Sequence, residues 1–474
     1  MGTGCNRSGL RFHPLGRRKV QAGFDAPAVS SDAGLLLLRE VATSMALFEL
    51  AAECFKDFRD PGRVEHSVES LLAQRVLALA CGYEDLNDHS WLQQDPLFAV
   101  AIGKGDPLGA DRRRTGDRGK ALASPATLNR LENTPANIAD ARADQRLVHD
   151  PEALRDLLVD LAMDSQEASP GEIVLDLDAT DDRVHGKQEG RFFHGYYDGY
   201  CFLPLYVFWG DRLLAAELRP ANQDGAAGSL EAVERIVKKL RQRWPEVRII
   251  VRADSGFARD WLMTWCEQTP GVDFVLGLAR NQRLSPMLAP EMARMRRRVE
   301  ETGQPHRCYK ELRYRTQDSW SAERRVIGKA EVTGDKENPR FVVTSIPVDE
   351  LDATALYRFY CQRGEMENRI KEQQLDLFAD RTSAHRFRAN QLRLWFASLA
   401  YVLIDELRRR GLRSTELERA HAGTIRLRLL KIGALVRVSV RRVAVSMSSA
   451  FPLQELFQTV LENLRASFRL PMRC

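Results

Sequence analysis

EIVLDLDAT, residues 172–180, is the stretch on which the reading of the fold turns. Residues 31–140 carry apolar side chains at helical spacing, as in SDAGLLLLREVATSMALFELAAECF and SVESLLAQRVLALACGY; near Gly171 the period becomes two. Val174, Asp176, Asp178 and Thr180 share one face of the predicted strand, and Ile173, Leu175, Leu177 and Ala179 share the other. Two aspartates on one face of an apolar strand are poor strand formers and costly to bury, so they call for a chemical reason.

Working downstream, DDRVHGKQEGRFFHGYYDGY reads as a turn-rich loop. FLPLYVFWG and RLLAAELRP then predict a hairpin about Gly210 and Asp211. SLEAVERIVKKLRQRW is an amphipathic helix, and VRIIVRADSGF is a strand apolar on both faces, as in a covered parallel sheet. That strand ends at Asp254, and in open α/β sheets chemistry gathers at the carboxyl ends of strands. ARDWLMTWCEQ and VDFVLGLAR continue the alternation, giving three strands, helix, strand, helix, strand. Residues 281–338, rich in Arg, Lys and Glu, break it and read as an insertion; its Trp320 reads as exposed and available to stack on a base, against a packing role.

Asp352–Gln374, DATALYRFYCQRGEMENRIKEQQ, predicts one helix with Asp352 as its cap. At roughly 100° per residue, Leu356, Tyr360, Arg363, Glu367, Lys371 and Gln374 fall on one face, with Glu365 and Glu372 opposite as solvent charges. Glu367 then lies beside Leu356, Phe359 and Ile370 and needs a cation, for which Arg363 is one turn back. Upstream, GDPLGADRRRTGDRGKALAS predicts a mobile loop. Its Arg112, Arg113 and Arg114, with Arg130 on the following SPATLNRLEN helix, are candidate DNA contacts, against an ordinary charged loop and surface helix.

Composition narrows the class. The longest apolar run, Leu394–Ile404, is too short to span a membrane, and the basic N-terminus lacks the apolar stretch of a secretory signal. Eight scattered cysteines show neither a C-x-x-C pair nor zinc-like spacing with the nine histidines. The net charge of +5 is uneven: from His385 onward 17 Lys or Arg oppose 6 Asp or Glu, leaving the remainder acidic. That suits a polyanionic partner beside a metal-binding body, or a soluble arginine-rich helical region. An aspartate on the first strand, Asp254 and Glu367 form a three-carboxylate set suited to Mg2+ or Mn2+. Two such ions about 4 Å apart serve phosphodiester displacement, so the set predicts a phosphoryl-transfer nuclease core.

The order DLDAT, RADSGF, then Tyr360, Arg363 and Glu367 as Y-x2-R-x3-E resembles the DDE transposases of bacterial insertion sequences. GYEDLNDHSWLQQDPLFA, SPATLNRLEN and YCQRGEMEN narrow the resemblance to the group named IS-thirteen-eighty; it spans about Phe24 to Arg410. It implies an RNase H-like catalytic core, a mixed five-stranded sheet with flanking helices and an insertion before the glutamate-bearing helix, plus a helical N-terminal domain. Asp178, by its D-x-T match, with Asp254 and Glu367, would be catalytic and hold two Mg2+ or Mn2+ ions. Tyr360 and Arg363 would position DNA phosphates. Where the wider signature has a lysine, seven residues after the glutamate, this sequence has Gln374, leaving Lys371 as a substitute.

The organisation expected is a flexible basic N-terminus (1–25), a helical DNA-binding domain (26–165), the core (170–280 and 339–410), the insertion (281–338) and a basic C-terminal region (411–474). The activity implied is cut-and-paste transposition: cleavage at terminal inverted repeats, then attack of the 3′-hydroxyls on target DNA, through a hairpin intermediate on the excised ends. The partners implied are double-stranded DNA and a second copy in a synaptic homodimer, in the bacterial cytoplasm at the nucleoid. A nuclease without strand transfer and a domesticated, catalytically silent DNA-binding protein are the alternatives.

Overall fold

The computed structural model describes residues 10–26, 28–140 and 145–468, so expectations for residues 1–9 and 469–474 lie outside the described residues. Strands β1 (Glu172–Ala179), β2 (Leu205–Trp209), β3 (Arg212–Glu217), β4 (Arg248–Ala253) and β5 (Val272–Leu278) form the predicted series. They lie in the order β3-β2-β1-β4-β5, with β4 parallel to β1 and β5, and β2 antiparallel to β1. The sheet does not stop at five strands. β6 (His306–Tyr314), β7 (Arg324–Thr333), β8 (Lys336–Glu337) and β9 (Arg340–Thr344) extend it through β9 to nine. The charged stretch read as a separate insertion therefore supplies a helix, Leu284–Thr302, and three strands of the same sheet: Val326 and Ile327 bury the faces of β7, and the charges pair across strands, as Arg325 does with Glu311.

The helices used below are α1 (Val68–Ala80), α2 (Pro125–Glu132), α3 (Pro151–Asp164), α4 (Ser229–Arg243), α5 (Asp260–Gln268) and α6 (Leu284–Thr302). After β9 follow α7 (Ala353–Cys361), α8 (Gly364–Lys371), α9 (Phe387–Glu406) and α10 (Gln454–Phe468). On one sheet face Leu175, Leu177, Ile249, Val251 and Phe274 pack with residues of α3, α4, α5 and α6. On the other, Ile250, Val275, Ile327 and Val342 meet Leu356 and Tyr357 of α7. Tyr206 and Phe208 join α9 on that side. No helix among the described residues is long and apolar enough to cross a membrane.

Three further expectations change. Residues 10–22, read as loosely ordered, pair as an exposed hairpin with Phe12 opposite Val20. The N-terminal helices do not bury their apolar faces among themselves alone. α1 packs on α9, and Leu72, Val76 and Leu77 share one core with Trp395, Leu399 and Leu403. The run 352–374 is not one helix. The amides of Gln362 and Arg363 bond back three residues, to Phe359 and Tyr360, and this tighter turn separates α7 from α8. A π-type turn, Glu372–Asp376, then follows. Each change of pitch rephases the faces, so the 100° arithmetic fails beyond Cys361.

Candidate active site

Asp178 lies near the carboxyl end of β1, opposite Tyr206 of β2, and its Oδ1 accepts from the Ala179 amide at 2.9 Å. The β1–β4 register pairs Arg252 with Asp176 and Ala253 with Leu177, so the next residue, Asp254, emerges beside Asp178. Asp254 caps a short turn, Ser255–Phe257, through the Gly256 amide at 2.8 Å. From the helical side comes Arg363, at the break between α7 and α8. Its Nη1 is 3.3 Å from Asp178 Oδ2 and its Nη2 is 3.3 Å from Glu367 Oε1. One guanidinium thus joins the first strand's carboxylate to the helix's carboxylate.

Burial pushes the Asp178 carboxyl up to about 6; Arg363 opposes the rise, and Asp254 and Glu367 add to it. Burial works against the Arg363 charge, yet Asp178, Tyr360, Asp254 and Glu367 around it hold the guanidinium above its ordinary value. The Tyr360 phenol is raised by burial, with Arg363 opposing and Asp254 reinforcing. Three carboxylates, a tyrosine and an arginine therefore share one electrostatic environment at the end of β1 and β4.

The oxygen-only donor set of Asp178, Asp254 and Glu367 is the kind hard divalent cations take. In this structure their charge is met by the Arg363 guanidinium, which lies between Asp178 and Glu367. Among the described residues the acidic group whose ligand atoms all lie within 4.8 Å of one another is a different one, Glu372, Asp376 and His421. There the Glu372 carboxylate is already held by Arg408 and by the Ala422 amide, so it answers a different need.

Asp176 shares the face of Asp178 but not its freedom. Arg252 grips it with two bonds, Nε to Oδ1 at 2.6 Å and Nη2 to Oδ2 at 2.8 Å, and donates Nη1 to the Phe359 carbonyl at 2.6 Å. Both side chains are buried. The clasp ties the sheet to the end of α7, immediately before Arg363 and Glu367. Sequence reading passed over Arg252, although a charge sharing the face of Ile250 in so apolar a strand signals a buried partner. It also missed Gly277 on β5. A Cβ there would lie 2.5 Å from the Tyr360 hydroxyl, 2.9 Å from the Ser255 nitrogen and 3.2 Å from the Asp254 carbonyl carbon. A glycine inside a strand is the available signal of such close approach.

Other expected residues fall elsewhere. Glu367 is 49% exposed rather than set among apolar neighbours, while Glu372, expected in solvent, is buried against Arg408 and Arg369. The rephased helix turns exchange their surroundings. Lys371 is exposed, and Gln374 donates to the Asp181 carbonyl and to Asp182 Oδ1. Trp320 is only 4% exposed, edge-on to Tyr314 with Arg324 over its ring, so it has no face for a base. The loop read as mobile is pinned by the Asp106 carboxylate, which accepts from the Leu108 and Asp111 amides. Arg112 turns inward to Glu65 and His66, and Arg113 donates to the Gly62 carbonyl; Arg114 and Arg130 are exposed.

The fold and site are thus a mixed α/β sheet with Asp178 and Asp254 at adjoining strand ends and Glu367 brought to them on a helix. Residues 12–468 match the family model described as transposase DDE domain group 1, and the chain belongs to that family. A cryo-EM structure of the piggyBac transposase synaptic complex with hairpin DNA is similar over 93% of this chain and 83% of that one, at 13% identity and a TM-score of 0.38. No curated protein matches the chain.

Proposed function

We propose that this transposase is the cut-and-paste enzyme of a bacterial insertion sequence of the IS-thirteen-eighty type, with an RNase H-like core. The observation that carries the reading is the single Arg363 guanidinium joining Asp178 and Glu367, with Asp254 emerging from the neighbouring strand. Asp178, Asp254 and Glu367 would hold Mg2+ or Mn2+, and when bound such ions supply electrophilic stabilisation to a phosphodiester under attack. Arg363 and Tyr360 hold the phosphate in line. In the first step water attacks the phosphorus at the element's end, the bond to the 3′-oxygen breaks, and that oxygen leaves as a hydroxyl. In the second the 3′-hydroxyl attacks a target phosphodiester and displaces the target's own 3′-oxygen. No covalent bond to the protein is needed.

The DNA partners are terminal inverted repeats and target duplex, and two ends require two copies of the chain. We assign end recognition to the N-terminal helices, phosphate contacts to the exposed Arg114 and Arg130, and the site of action to the bacterial nucleoid. The test is cleavage and strand transfer on labelled DNA carrying the element's repeats with Mg2+, comparing wild type with Asp254→Asn and Glu367→Gln. Cutting at the repeat boundary and joined products, both lost in the variants, are expected. Cutting without joined products would make the protein a simple nuclease, and binding without cutting a silent DNA-binding protein.

A further inference from the structure

Between β1 and β2 the chain leaves the main sheet and folds a small one of its own. Residues Asp182–Arg183, Phe192–His194 and Gly199–Phe202 form three antiparallel strands, and the last two are joined by a four-residue turn, Gly195–Asp198. Large aromatic side chains normally go inward. Here Phe192, Phe193, Tyr196 and Tyr200 are exposed at 41%, 55%, 85% and 48%, four within nine residues. An exposed apolar cluster of this density marks a contact surface.

Its chemistry specifies the partner. Phe193 and Tyr200 stand directly opposite each other in the register and touch edge to face at 5.7 Å. Arg191, two residues before Phe193 and so on the same face, lies over the Tyr200 ring at 4.5 Å. Exposed Lys187 and His185 lie just upstream, and Glu189 is turned away onto the Phe387 amide. Rings alternating with cations suit the flat faces and phosphates of unpaired nucleotides better than an apolar helix. Position agrees. Tyr197 meets Tyr196 edge to face at 5.0 Å and packs against Cys201, Leu203 and Ala221, as does Ala179, the residue after Asp178. The aromatic turn therefore stands beside the first catalytic carboxylate, where a strand end would lie.

We infer that the 182–202 hairpin binds unpaired bases of the DNA strand at the cleavage site, stacking them on Phe193, Tyr196 and Tyr200 while Arg191 and Lys187 take the adjoining phosphates. This rests on the proposed DNA-cutting function but adds to it a holder for single-stranded DNA separate from the carboxylates. It needs no bond made or broken.

The test uses the full-length protein and two fluorescent probes of one sequence, a blunt duplex and the same duplex with a four-nucleotide overhang carrying 2-aminopurine. Wild type is expected to bind the overhang probe at least about fivefold more tightly than the blunt one, with 2-aminopurine fluorescence quenched. Phe193→Ala with Tyr200→Ala abolishes that preference and the quenching while blunt-duplex affinity stays the same. Tyr200→Phe, which keeps the ring, retains both and controls for folding. Equal affinity of wild type for both probes, or quenching that survives the double variant, would overturn the inference and leave the cutting function standing. Failure of wild type to bind either probe would overturn both. If the double variant changed only the chain's mass in solution by light scattering, with overhang preference intact, the surface would belong to a second copy.

Discussion

At the residue scale, two aspartates one turn of the pleat apart do opposite work. Asp176 is matched by a buried arginine of its own, so removing its charge strands that arginine; Asp178 is largely buried and shares its one cation, Arg363, with Glu367, so neutralising it relieves a burial cost and repulsion that the shared cation does not cover. Asp176→Asn is expected to lower stability by about 3 kcal/mol in urea unfolding, as is Arg252→Met. Asp178→Asn leaves the unfolding midpoint unchanged or higher while abolishing cleavage. A midpoint that fell as much for Asp178→Asn as for Asp176→Asn would remove the distinction. The identity of the costly residues was legible in EIVLDLDAT, because alternation alone exposes two carboxylates on one face. Which of the two is spoken for was not, since Arg252 lies 76 residues away and only the parallel register brings it opposite Asp176.

At the scale of elements, the close packing of β5 on Tyr360 and the Asp254 turn makes Gly277 a spacer. Gly277→Ala is expected to cost about 1–3 kcal/mol of stability. It should also reduce cleavage well beyond the effect of Tyr360→Phe, because backbone at Ser255 as well as the hydroxyl must give way. Matching activities of the two variants would show that the strand yields. The five core strands and their intervening helices were readable from period and apolar content. The remaining sheet was not, because β7 buries arginines against partners on other elements, as Arg324 does with Asp260 and Glu267 and Arg325 with Glu311, while β6 carries exposed arginines, so both read as surface. The glutamate helix was found but not its break, for nothing at Gln362 or Arg363 forbids an α-helical turn; tertiary contacts to the Phe359 carbonyl hold the tighter one.

Across the whole molecule, buried ionisable groups set opposite limits on pH. Burial pushes His66, His89 and His149 down to about 3, helped at His66 by Lys104 and Arg112. The unfolded imidazole takes its proton near 6.5 and the folded one does not, so stability falls as pH drops below 6.5. The loss is roughly 2 kcal/mol per histidine by pH 5. Asp182 runs the other way: burial raises it to about 8, so the stability its protonated form contributes is full below about 4 and is lost as pH rises from there to about 8. Thermal melts should therefore peak near pH 6.5 and level off above about 8, and Asp182→Asn should remove the decline between 6.5 and 8; an unchanged decline would acquit Asp182. The core shared by α1 and α9 has its own test. A fragment of residues 166–474 strips α9 of its cover and is expected to be insoluble or molten by near-ultraviolet circular dichroism, whereas an independent N-terminal domain would leave it folded. That shared core also bears on retargeting. Grafting the N-terminal helices of one relative onto the catalytic half of another would join surfaces that never matured together. If the N-terminal helices read the element's ends as proposed, exchanging end specificity must carry α9 with them, or alter single surface side chains and leave the seam intact.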